Sequence, residues 1–299
     1  MTVAAKQAEH KIIRLPSFVI IGAMKSATST LYEQLAGQSG IFLSGLKEPN
    51  FFSNDEQYSR GIEWYSALFS EAKSSDIAGE ASTHYTKLPT YPETVARMRN
   101  WLERPRLIYV MRDPVDRLVS QYIHQWTEGE IRCGLQSALT KHPELIAYSC
   151  YARQLEPFIN SFGNAAILPV FFDRMITDPQ GELERVARFI GYNGKVQWHE
   201  NLSRRNVSAE RLRKFALFDL LVEHPLAAKL RRGLVPKGVR TKIRRFFSMD
   251  TRPELTMTER RKLEEVFDED LAILGKWLGI SLNSENFRTV TSAQSLEWQ

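Results

Sequence analysis

Cysteine is scarce: Cys133 and Cys150 are the only two in 299 residues, too few for a disulfide framework. No apolar run approaches the roughly 20 residues of a membrane span, and residues 1–15 lack the hydrophobic stretch of a secretory leader. These absences predict a reduced, cytoplasmic protein. Histidine is sparse too. His10, His124, His142, His199 and His224 share no metal-ligand spacing, so no metal is expected and each reads as a packing or surface residue. No internal repeat is present. What remains is ordinary: 43% hydrophobic and 25% charged residues, enough for one large core. The expected organisation is a flexible N-terminus over 1–15, a single domain over 16–282 and a flexible, polar C-terminal tail over 283–299.

Strand signals at Phe18–Ile21, Asp76–Gly79, Arg106–Met111 and Ala165–Phe172 alternate with helical stretches near Thr30–Gln38, Pro92–Leu102, Pro114–Thr127, Ala147–Ser161 and Pro179–Ile190. Such alternation predicts an α/β fold, a parallel sheet with helices on both faces, and ligands at the carboxyl ends of the strands.

The first strand runs into Gly22-Ala-Met-Lys-Ser-Ala-Thr-Ser-Thr30, a hydroxyl-rich turn carrying one lysine. Thr30 and Glu33 have the spacing of a capping box, so free backbone N–H groups and the helix dipole face whatever sits over Lys25 to Ser29. A phosphate or sulfate fits there. The segment is not a Walker A loop: Ala27 stands where the second glycine belongs and Thr28 where the lysine belongs. An ordinary strand-turn-helix with a solvated Lys25 is the plainer alternative.

The third strand signal ends at Arg112. Asp113 is suited to cap the next helix and Pro114 to start it. Ser120 falls about two turns along, on the inward side with Asp116, Arg117 and Val119 nearby. Arginine and serine can thus converge on one phosphate, with the arginine offering a fork of donors. The plainer alternative is a surface Arg–Asp pair worth little. Between these segments lies Lys47-Glu48-Pro49-Asn50-Phe51-Phe52. Core packing is the favoured reading of the two phenylalanines.

A lysine three residues after the strand-end glycine, followed by small and hydroxyl residues, resembles the 5′-phosphosulfate loop of sulfotransferases that use 3′-phosphoadenosine 5′-phosphosulfate (PAPS). The run R-D-P-x-x-R-x-x-S-x-Y at 112–122 is similar to the 3′-phosphate motif of the same enzymes, and K-E-x-x-F-F at 47–52 to a segment of the heparan sulfate and bacterial carbohydrate-type branch. Tyr58 to Trp64, Gly79-Glu80, Phe171 to Arg174 and Asp178-Pro179 extend the likeness, which covers residues 17–192. The resemblance implies a P-loop-like three-layer fold and sulfuryl transfer from PAPS to an acceptor hydroxyl of a carbohydrate or other small metabolite, without metal. It implies that Lys25 stabilises the leaving phosphate oxygen, that Ser26, Ala27, Thr28, Ser29 and Thr30 hold the 5′-phosphate, and that Arg112 and Ser120 hold the 3′-phosphate. Glu48 is implied as general base, with His84 as the rival; a carboxylate base would hold activity down to about pH 5, whereas a histidine would bend it near 6.5. Ala81 stands where heparan sulfate 3-O-sulfotransferases carry a substrate-facing lysine, which argues against heparan sulfate itself as acceptor. The family's downstream Lys-Gly-Arg loop has no clean counterpart here.

Two other classes fit the cradle: a P-loop kinase-like phosphotransferase, which would need a Walker lysine, and a nucleotide-binding protein without catalysis. Positive charge is concentrated at Lys229, Arg231, Arg232, Lys237, Arg240, Lys242, Arg244 and Arg245, in a stretch free of acids, while the whole chain carries only +5. That stretch reads as a lip for an anionic ligand, a membrane-surface helix or a solvated linker. Nucleic acid is not an expected partner, because no recognition fold accompanies the patch.

Overall fold

Five short apolar segments form one parallel sheet in the computed structural model, which describes residues 13–203 and 252–299. They are β1 (Phe18–Gly22), β2 (Ile41–Leu43), β3 (Ile77–Ala81), β4 (Arg106–Met111) and β5 (Ile167–Phe171). The order is β2-β3-β1-β4-β5, and every pairing is parallel. From central β1 the chain crosses to the edge strand β2, comes back to β3 between the two, and then adds β4 and β5 on the other side. A crevice therefore opens at the carboxyl ends of β1, β3 and β4, where the winding direction reverses.

Alternation along the strands divides the core into two layers. Val19, Ile21, Leu107, Tyr109 and Met111 face a layer holding Phe51, Phe52, Tyr65, Phe158 and Phe267. Phe18, Ile20, Ile108 and Val110 face the other, with Leu31, Leu35, Leu183 and Val186. The two phenylalanines of the 47–52 segment are thus core residues, as their composition suggests; Phe51 stacks on Tyr65 at 4.5 Å between ring centroids. Gly79 is required by packing, since a Cβ there would sit 2.2 Å from the Phe18 ring.

The helices that matter for the crevice are α1 (Thr28–Ala36), α2 (Pro114–Thr127), α3 (Tyr151–Phe162), α4 (Pro179–Phe189), α5 (Met257–Leu278) and α6 (Phe287–Ala293). Strand β4 and helix α2 have the bounds expected from sequence. Strand β2 was not expected; three residues carry no periodicity to detect. Helix α1 begins three residues earlier than a Thr30 cap implies. Ala27 adopts a left-handed conformation as N-cap with no side-chain cap, and its carbonyl accepts from both Thr30 and Leu31 N–H, so Thr30 lies inside the first turn.

The expected C-terminal tail is instead a packed element. Phe287 is fully buried and its ring lies 5.9 Å from that of Phe171, Leu296 is buried, and the Trp298 indole N–H donates to the Ile167 carbonyl at 2.6 Å. The polar residues that suggest fraying lie between these apolar anchors. Leu15, assigned to a flexible N-terminus, packs against the core. Residues 1–12, including His10, and the 229–245 basic stretch with His224 lie outside the described residues.

Candidate active site

Gly22 ends β1 at φ +155°, and a Cβ there would lie 2.0 Å from Thr86 Oγ1. The chain can turn under the Thr83–Thr86 segment only because this position is glycine. Lys25 (φ 70°) and Ala27 (φ 67°) follow in left-handed conformations, and Glu48 (φ 54°) and Asn50 (φ 52°) do the same in the neighbouring loop. Each costs a non-glycine residue about 1–2 kcal/mol, and such outliers gather at functional sites. Their effect is to aim a row of polar groups into one cavity of about 1090 Å³.

Of the residues predicted from sequence, Lys25, Ala27, Thr28, Ser29, Thr30, Glu48, His84, Arg112 and Ser120 all line this cavity. Ser26 does not; its hydroxyl is buried beneath the loop without a partner. At the start of α1 the N–H groups of Thr28 and Ser29 have no preceding turn to bond. Burial lowers the Lys25 pKa, and the positive charges of Arg112 and Lys47 lower it further. Cations crowded against their own repulsion are a standing binding site for an anion. Lys47, which could have paired with Glu48, turns the other way and donates to Ser29 Oγ.

Arg112 leaves β4 with its guanidinium 4.7 Å from the centre of the Phe172 ring. Its backbone is clamped by Tyr151, whose hydroxyl donates to the Arg112 carbonyl at 2.5 Å and accepts from its N–H at 3.2 Å. Arg112 Nε is buried without a partner, and Nη2 meets Asp116 only at 3.4 Å. Asp113 caps α2 as expected, with its carboxylate accepting from Asp116 N–H at 2.9 Å. Asp116 also accepts from Arg252 at 2.9 Å and Arg288 at 2.6 Å, so groups from three distant segments meet beside Arg112.

Arg117, one helical turn before Ser120, is fully buried. Its guanidinium donates to Ser149 Oγ at 2.6 Å, Gln121 Oε1 at 2.8 Å, and the carbonyls of Leu145 (2.8 Å) and Met24 (3.4 Å). It joins the lysine loop to α2 and holds a structural position rather than lining the cavity. The helical wheel puts Arg117 near the inward side; its complete burial and its set of partners come from the fold.

Glu48 is fixed by Thr83, which donates its N–H at 2.7 Å and its hydroxyl at 3.1 Å to Oε2. Burial nonetheless raises the Glu48 pKa, against the opposing pull of these bonds and of Lys87 and Lys47. The loop beneath is pinned to β3: Glu48 N–H donates to Ala81 O at 3.0 Å, and Asn50 N–H to Ser82 Oγ at 3.0 Å. Ser82 in turn donates to Glu80 at 2.8 Å, as do Tyr65 (2.9 Å) and Tyr85 (2.7 Å). Burial pushes the fully enclosed Glu80 carboxyl up to about 7, in spite of these three donors.

His84 stacks on Tyr91 at 4.9 Å and its Nδ1 is buried without a partner. Burial, assisted by the Lys87 charge, brings its pKa down to about 4. The expected contrast between a carboxylate and a histidine base therefore closes, since the imidazole is weakened while the carboxylate is strengthened. His124, read from sequence as a packing or surface residue, lines the cavity. Among the described residues no group of His, Cys, Asp and Glu has the arrangement to hold a metal ion, both cysteines are free, and no helix is long and apolar enough to cross a membrane.

A family model described as the sulfotransferase domain matches residues 15–275. Mouse heparan sulfate glucosamine 3-O-sulfotransferase 3B1 is 30% identical over 187 residues, which are 60% of this chain and 46% of that protein. Mouse heparan sulfate glucosamine 3-O-sulfotransferase 5 is 28% identical over 260 residues, 80% of this chain and 71% of that one. The chain thus spans less than half the length of the first relative. A solved sulfotransferase from Alicyclobacillus acidocaldarius shares the fold, with a TM-score of 0.64 at 21% identity over 90% of this chain and 98% of that chain. With a family match that runs from the residues preceding β1 almost to the end of α5, the chain belongs to the sulfotransferase domain family.

Proposed function

We propose that the protein transfers a sulfuryl group from PAPS to a hydroxyl of a carbohydrate or other small acceptor, releasing adenosine 3′,5′-bisphosphate. The observation that carries this reading is the convergence of Lys25, Glu48, Arg112 and Ser120 on one cavity. The residues fit such a donor: the unpartnered Arg112 Nε and the free N–H groups at the start of α1 are donors awaiting an anion, and Phe172, Met175, Ile176 and Trp198 give the cavity an apolar wall suited to a planar base. The names of the mouse relatives support a carbohydrate acceptor.

Bound PAPS supplies the sulfuryl group, which forms a new S–O bond to the acceptor as its bond to the bridging phosphate oxygen breaks and that oxygen keeps the electron pair. Catalysis of this kind rests on positioning and charge neutralisation. Lys25 stands against the phosphosulfate, and the loop from Ala27 to Thr30 holds the 5′-phosphate, with Ser26 packed beneath it. Arg112 and Ser120 hold the 3′-phosphate. Glu48, oriented by Thr83, takes the proton of the attacking hydroxyl, a role worth about 10²–10⁴ in rate. His84 is the weaker base, because burial, and after it the neighbouring Lys87 charge, opposes its protonation.

The 3′-phosphate assignment is tested with two nucleotides and two proteins. Removing the 3′-phosphate from adenosine 3′,5′-bisphosphate should weaken binding to the native protein by about 1.5–3 kcal/mol, the worth of charged hydrogen bonds. The same removal should scarcely matter in Arg112→Ala. Calorimetric titration of all four pairs checks it, and an equal loss in both proteins would refute the assignment.

A further inference from the structure

Lys87 follows the Thr83–Thr86 turn and is 9% exposed, yet it lines the cavity. Its backbone is held rigidly. Gln154, itself fully buried, receives the Leu88 N–H at 2.7 Å and donates to the Leu88 carbonyl at 2.9 Å, while Tyr91 N–H donates to the Lys87 carbonyl at 3.2 Å. No described residue offers its ammonium a hydrogen bond or an ion pair. Glu48 shares the same wall, but its carboxylate is taken by Thr83 and lies beyond ion-pair reach of Lys87. A largely buried ammonium on a fixed stem, with no direct hydrogen-bond or ion-pair partner and only the more distant charges of Glu48 and Glu130 to favour it, is a ready site for an anion. Burial draws its pKa down to about 8, with Glu48 and Glu130 pulling upward and Arg117 downward.

The position also matters. Lys25 and Arg112 rise from the ends of β1 and β4, whereas Lys87 stands past β3, on the side of Glu48. A group bound by Lys87 therefore belongs to the molecule whose hydroxyl Glu48 faces, and not to the nucleotide.

We infer that Lys87 is a specificity residue of the acceptor site, binding a carboxylate or sulfate ester carried by the molecule whose hydroxyl is to be sulfated. The inference rests on the sulfotransferase reading and deepens it: the acceptor is an acidic molecule whose anion lies close to the reacting hydroxyl.

The test uses full-length protein saturated with adenosine 3′,5′-bisphosphate and three probes: p-nitrophenyl β-glucoside, its glucuronide and its 6-sulfate. Calorimetry should show at least one acidic probe binding about tenfold or more tightly than the neutral one, as expected for a buried charged contact. The glucuronide and the 6-sulfate decide which anion is preferred. Lys87→Met, which keeps the stem and removes the charge, should erase the preference, and Lys87→Arg should retain part of it. Adenosine 3′,5′-bisphosphate affinity should stay native in both variants. Equal binding of neutral and acidic probes, or an unchanged preference in Lys87→Met, would overturn the inference. So would a loss of nucleotide affinity in Lys87→Met, since Lys87 would then belong to the donor site. Native protein that fails to bind the nucleotide at all would overturn the sulfotransferase reading itself, and this inference with it.

Discussion

Lys25→Ala is expected to turn over about 10²–10³-fold more slowly than the native protein, by comparison with the loss of one preorganised oxyanion donor. Negative charge on the leaving phosphate oxygen grows as the sulfur bond breaks, so an ammonium beside it is worth more in the transition state than in the bound ground state. Burial and the repulsion of Arg112 and Lys47 sharpen that difference, because the developing charge relieves a strain that the resting site already holds. Alanine carries the same Cβ as lysine at φ 70°, so the loop should keep its shape. Single-turnover transfer from labelled PAPS gives the rate, and calorimetry with adenosine 3′,5′-bisphosphate gives the affinity, which should change far less. A nearly active Lys25→Ala with intact fold and binding would show that the cradle lysine is not catalytic.

Glu48→Gln should lower transfer to the acceptor by about 10²–10⁴ while leaving nucleotide affinity almost unchanged. Glutamine keeps the length and can still accept from Thr83, but it cannot take the proton. His84→Asn should be milder. The pH profile must be read with the signs that burial imposes. Glu48 acts in its ionised form and its pKa is raised, so activity is lost as pH falls through a value above the ordinary carboxylate range. A histidine base lowered to about 4 would likewise hold activity well below pH 6.5, so the bend near 6.5 that a free histidine would give is not expected from either residue, and the two substitutions decide between them. Abolition of transfer by His84→Asn with survival in Glu48→Gln would move the base to the histidine.

The parts of the site legible in sequence were those set by one strand and the turn after it. The apolar run Phe18–Ile21, the breaker at Gly22 and the lysine at 25 lie within eight residues, and the Asp113-Pro114 start of α2 is a local signal that survived in the structure. Ser120 lines the cavity, on the side of the helix where periodicity puts it. Long-range packing hid the rest. That Lys47 turns to Ser29 rather than to its neighbour Glu48 depends on two loops brought together by the fold, and Lys87 has no motif around it; only the Gln154 clamp and the fold make it a cavity residue. Nor could sequence show that Arg288 of α6 would reach Asp113 and Asp116, since the polar stretch that carries it reads as a frayed tail. The capping box failed for a different reason: Ala27 in a left-handed conformation starts the helix by backbone bonds that outweigh the Thr30–Glu33 signal.

The central claim is that this cavity is built for a nucleotide with a phosphate at the 3′ position and an anion at the 5′ end. A Walker-type kinase site would place lysine at position 28, where threonine stands, and would favour a triphosphate. Calorimetric titration of the native protein with adenosine 3′,5′-bisphosphate and, separately, with ATP under the same buffer distinguishes the two. The bisphosphate should bind measurably more tightly than ATP, with or without magnesium; preference for ATP, or binding that appears only with magnesium, would contradict the sulfotransferase reading.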